Sequence, residues 1–98
     1  LPYVILRNKE SIIPRVKHIA RCLQLEDISF NGFFNWILQF RKELDIPHSL
    51  KEIGLNAKEK KRISQLATLD AAALSNPVKL TEQDYAEIFT NAVEGKLI

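Results

Sequence analysis

Apolar positions in this chain recur at helical spacing, and no segment of useful length alternates with period two. After Pro14, residues Val16, Ile19, Ala20 and Leu23 lie on one face, with Arg15, Lys17, Arg21 and Gln24 between them. Pro14 fits the first turn of a helix, where its missing N–H removes no intrahelical bond, so the spacing predicts a helix starting there. Leu25-Glu26-Asp27-Ile28 reads as a connector and Ser29 as the N-cap of the next helix. In that helix, Phe30, Phe33, Phe34, Ile37, Leu38 and Leu44 form a broad stripe opposite Asn31, Asn35, Gln39, Lys42 and Glu43. Trp36 and Phe40 widen the stripe, so the helix is expected to be covered on more than one side. Gly32 weakens its first turn by about 1 kcal/mol relative to Ala. Asp45-Ile46-Pro47 ends it, because a residue before proline is pushed out of the helical region.

Three capping signatures follow. Ser49 with Glu52 fits a capping box that opens a short helix, which Gly54 can close in the left-handed conformation. Asn56 with Glu59 opens a longer helix, whose Ile63, Leu66 and Ala67 are expected to face inward. Thr81 with Asp84 opens the last, with Tyr85, Ile88, Phe89 and Ala92 as its stripe and its end near Gly95. Asp70-Ala71-Ala72-Ala73-Leu74 is helical by composition, and Ser75-Asn76-Pro77 is a turn. The fold class is all-α, with five or six helices of mixed length.

Composition narrows the choice of class. Ninety-eight residues, 46% hydrophobic and 27% charged, suit one globular domain spanning 1–98 and not a disordered tail. A net charge of +2 does not call for a polyanionic partner. The single cysteine cannot form an internal disulfide, and no apolar run is long enough to span a bilayer. These features fit a cytoplasmic protein. The chain opens Leu1-Pro2 and contains no methionine, so it is expected to be a processed product, a fragment or an excised piece.

Candidate chemistry is sparse. His18 and His48 are separated by a helix, with no Cys or His read at metal-ligand spacing from either, and both read as surface histidines. Cys22, with no local base partner, reads as a small packed hydrophobe. Lys58-Glu59-Lys60-Lys61-Arg62 is the one dense basic run. It lacks an aromatic platform and suits a solvated helix face, so no nucleic acid is expected. Glycine-rich phosphate loops, nucleophile elbows and paired histidines at i, i+4 are all missing. The residues alone therefore define a helical domain without a complete active site.

Four segments add a resemblance. Ile46-Pro47 followed by Ser49-Leu50-Lys51-Glu52-Ile53-Gly54-Leu55 resembles a segment of the iron-containing (group III) alcohol dehydrogenases. Asp70-Ala71-Ala72-Ala73-Leu74-Ser75-Asn76-Pro77 is similar to a turn of that family that ends in Asn-Pro. Thr81-Glu82-Gln83-Asp84-Tyr85 is similar to the opening of its final helix, and Leu1-Pro2 through Asn8 to an earlier segment. The four occur in the family's order and cover nearly the whole chain.

The resemblance implies the C-terminal part of a helical domain that follows a nucleotide-binding domain. It implies a parent enzyme that transfers hydride between NAD(P) and an alcohol or aldehyde, using Fe(II) as Lewis acid. The family's metal ligands, an aspartate and three histidines, precede the Leu-Pro segment. Residues 1–98 are thus expected to supply no metal, cofactor or catalytic residue, and neither His18 nor His48 takes a ligand role. Ala72 matches a substrate-pocket position that is often cysteine in the family; alanine keeps the wall small and removes the thiol. Asn76 and Pro77 match the architectural turn. Where the family usually continues with arginine, this chain has Val78 and then Lys79. The expected partner is the remainder of the parent enzyme, with self-association through the Phe-rich helix 30–44 if its surface is left bare. The rival reading is a free-standing helical interaction module, with that helix as its docking face.

Overall fold

Pro2 begins the first helix, so the start expected at Pro14 is corrected. The computed structural model describes residues 1–98, and α1 runs Pro2–Cys22 with Pro14 inside it. An interior proline removes one backbone bond and costs about 3 kcal/mol in isolation. Here Ile5, Leu6, Ile12 and Ile13, all before the proline, pack against the same core as Val16 and Ala20 after it. Full burial of one such side chain is worth about 1.5–3 kcal/mol, so four half-buried ones outweigh the proline. The early segment hid its helix because Val4, Ile5 and Leu6 are contiguous and show no spacing of 3.6.

The remaining α-helices are α2 (Phe30–Glu43), α3 (Lys60–Leu69) and α4 (Glu82–Glu94). Three short 3-10 turns, Lys51–Ile53, Ala57–Glu59 and Ala71–Ser75, complete the regular structure, and there is no strand. The all-α class stands. The count of five or six becomes four α-helices, because the segments after Ser49 and Asp70 make only 3-10 turns. The chain divides into two compact units, Leu1–Ile46 and Pro47–Ile98.

In the first unit, α1 and α2 bury Val16, Ala20, Phe30, Phe33 and Ile37 together. Ser29 caps α2 as expected, its Oγ accepting from the Gly32 N–H at 3.1 Å. Asp27 Oδ1 accepts from the Ser29 N–H at 2.9 Å. Hydrogen bonds from the Ser29 hydroxyl and amide hold the Asp27 carboxyl below its ordinary pKa. The connector thereby comes so close to α2 that a Cβ on Gly32 would lie 2.7 Å from Asp27 Cβ. Both helices end in the same way. Gln24 and Asp45 adopt left-handed φ of 55°, and the N–H groups of Leu25 and Ile46 return to the carbonyls of Ala20 and Arg41.

In the second unit, Thr81 and Asp84 form the complete capping box of α4. Gly95, at φ 73°, closes that helix. Phe89 and Val93 are buried, with Tyr85, Ile88 and Ala92 half-buried beside them. The inward face expected for α3 is corrected at Ile63 and Leu66, while Ala67 is half-buried. Ser64 is its buried residue at 1% exposure, while Ile63 and Leu66 are 38% and 56% exposed. The Ser64 hydroxyl lies 2.8 Å from the Lys60 carbonyl and 3.0 Å from that of Lys61. With its polar group bonded inside its own turn, a small residue can occupy the buried position under α4. No helix is long and apolar enough to cross a membrane.

Candidate functional site

The segment 70–78 carries the residues singled out for a pocket wall. Asp70 starts the turn, its Oδ1 accepting from the Ala72 N–H at 2.8 Å. The Ser75 hydroxyl donates to the Ala72 carbonyl at 2.9 Å. Ala72 is therefore held through its backbone on both sides, and its methyl group is exposed. Asn76 donates from Nδ2 to the Val78 carbonyl at 2.6 Å, and Pro77 follows it on the surface. Leu69 precedes this segment and Leu74 lies within it, with 82% and 91% of their surface exposed. This short, internally bonded turn, with its two exposed leucines, presents small and apolar groups.

The loop 47–54 is tied to the end of α4. His48 Nε2 donates to the Gly95 carbonyl at 2.9 Å, and the Leu50 N–H donates to the Ala92 carbonyl at 2.8 Å. These bonds take up carbonyls that the helix leaves over. Only half of the capping box expected at Ser49 is made. The Glu52 carboxylate accepts from the Ser49 N–H at 2.6 Å and from its hydroxyl at 3.0 Å. Those two bonds, with smaller contributions from His48, hold the Glu52 carboxyl below its ordinary pKa. Gly54, at φ 86°, closes the turn as expected.

The basic run stays on the surface. Arg62 pairs with Glu59 at 3.7 Å, and both side chains are largely exposed. Lys60 and Lys61 border a shallow groove that also includes Glu82 and Gln83, so its charge is mixed.

Cys22 departs most from the sequence reading. It is exposed, not packed, and its Sγ lies 3.8 Å from His18 Nε2. The signal was present as His-x-x-x-Cys, which places both side chains on one face of a helix.

The fold is all-α in two compact units, with segment 70–78 held by its own hydrogen bonds. Residues 1–93 match the model of the Fe-containing alcohol dehydrogenase family, C-terminal part. An NADPH-dependent butanol dehydrogenase of Clostridium saccharobutylicum is 32% identical over 97 residues, which cover 91% of this chain and 25% of that protein. The chain therefore belongs to the iron-containing alcohol dehydrogenase family, as its C-terminal part, and spans about a quarter of the curated relative's length. No solved structure gives a significant match.

Iron does not fit the residues of this chain. No three His, Cys, Asp or Glu side chains converge on a common point. His48 is already bonded to a carbonyl, and His18 belongs to the other compact unit.

Proposed function

We propose that this chain serves as the C-terminal helical part of an iron-dependent, NAD(P)-linked oxidoreductase that interconverts alcohols and aldehydes. The family match over residues 1–93 supports this reading most strongly, and the butanol dehydrogenase relative suggests a short aliphatic substrate. In that enzyme, iron and nucleotide would be held by the parts that precede this chain. The role of residues 1–98 is to wall and buttress. Ala72, fixed through its backbone by Asp70 and Ser75, would present a methyl to the substrate cleft. Asn76 and Pro77 would keep the wall in register.

The exposed side chains of Leu66, Leu69 and Leu74 support a partner surface, which this reading assigns to the remainder of the enzyme. The Phe-rich helix is a weaker candidate for self-association, because Phe30, Phe33 and Ile37 are buried against α1. Phe40 and Leu44 remain exposed on it. A cytoplasmic location goes with this reading.

The test is the whole reading frame, expressed and loaded with iron. NAD(P)H oxidation that depends on butanal is the expected result, and no rate above background overturns the proposal. The 98-residue chain itself is expected to lose all iron on washing with chelator, and stoichiometric iron retained after the wash contradicts that part.

A further inference from the structure

The last turn of α1 carries two ligating side chains at the separation a metal ion requires. Cys22 ends the helix, His18 lies one turn before it, and both are exposed. Sγ and Nε2 are 3.8 Å apart. A tetrahedral zinc ion with bonds of about 2.3 Å to sulfur and 2.0–2.1 Å to nitrogen holds the two atoms about 3.6 Å apart. The observed separation is within a few tenths of an ångström of that span.

We infer that His18 and Cys22 form a two-donor site for a thiophilic divalent cation of the zinc type. A thiolate and an imidazole are the donors that such ions prefer over magnesium or calcium. The position adds a second favourable term. The pair sits at the carboxyl end of a 21-residue helix, where the helix dipole favours positive charge. Water completes the coordination, since no third protein donor converges there. Binding displaces the Cys22 thiol proton to solvent and bridges the final turn across i, i+4, so the ion also holds the helix end. This site uses none of the residues assigned to the family's iron and is independent of the proposed reaction.

The probe is cobalt(II), which reports a thiolate ligand by charge-transfer absorption. Titrated into the 98-residue chain, it is expected to give that absorption at one ion per chain, with release of a proton. Zinc is expected to displace the cobalt, to slow alkylation of Cys22 several-fold and to raise Tm. Cys22→Ser removes the absorption, and His18→Gln weakens cobalt binding by about tenfold or more, in line with loss of a ligand-shell contact. Both residues are exposed, so both variants are expected to keep the helical circular-dichroism signal of the parent. Three results overturn the site: no charge transfer in the folded chain, equal cobalt affinity in His18→Gln, or alkylation at an unchanged rate with zinc present. A thiol whose reactivity falls in His18→Gln but never responds to metal would show a base-assisted cysteine, and the metal site would be wrong.

Discussion

At the residue scale, Gly32 shows how a local rule can misread a position. Helix propensity favours alanine there by about 1 kcal/mol. The approach of Asp27 reverses the preference, because the added Cβ would lie 2.7 Å from Asp27 Cβ. Gly32→Ala is expected to destabilise the chain by about 1–3 kcal/mol, the range for forced overpacking, as measured by chemical denaturation. A neutral or stabilising effect would show that the connector moves freely. Gln24 is the opposite case. It holds a left-handed φ of 55° without being glycine, so Gln24→Gly is expected to gain up to about 1 kcal/mol in the same assay.

Glu52 gives a residue-level pH dependence. Its folded pKa lies below the ordinary value because Ser49 donates to the carboxylate. The stabilisation is therefore complete above the ordinary glutamate range and is lost as pH falls through the depressed folded value. Carboxyl NMR titration of Ser49→Ala, which keeps the backbone N–H bond and loses the hydroxyl bond, is expected to raise the Glu52 pKa part of the way toward the ordinary value. An unchanged value would remove the hydroxyl bond as a cause.

At the scale of elements, the caps were the most legible features. Ser29, Thr81, Asp84, Gly54 and Gly95 all act where the sequence placed them. A cap joins residues within three or four positions of each other, so local sequence carries it. Thr81→Ala is expected to cost about 1 kcal/mol and to fray the first turn of α4, visible as faster amide exchange near Asp84. Two of the features misjudged at this scale were not local. Pro14 sits inside α1 because isoleucines before it and Val16 after it share a core with α2. Ser64, and not Ile63 or Leu66, is the buried residue of α3, because the close side of α3 admits only a small group.

At the scale of the whole molecule, apolar side chains left bare in the second unit mark where further protein would lie in the proposed enzyme. Leu69→Ser and Leu74→Ser are expected to change the stability of the 98-residue chain by no more than about 0.5 kcal/mol, as for other exposed positions. In the whole enzyme the same changes are expected to lower Tm and the yield of soluble protein. Equal, negligible effects in both contexts would mean that these leucines face solvent throughout. The pocket wall proposed at Ala72 rests on resemblance alone, because an alanine carries no chemistry by which the chain could mark it.

Local patterning set the helical class and the ends of α2 and α4. Those properties depend on the 3.6-residue period and on short-range capping. Tertiary structure decided which parts of each apolar stripe are buried, why Pro14 and Gly32 are tolerated and where Cys22 points. These depend on atoms far apart in sequence brought within a few ångströms, where packing outweighs the preferences of a single residue.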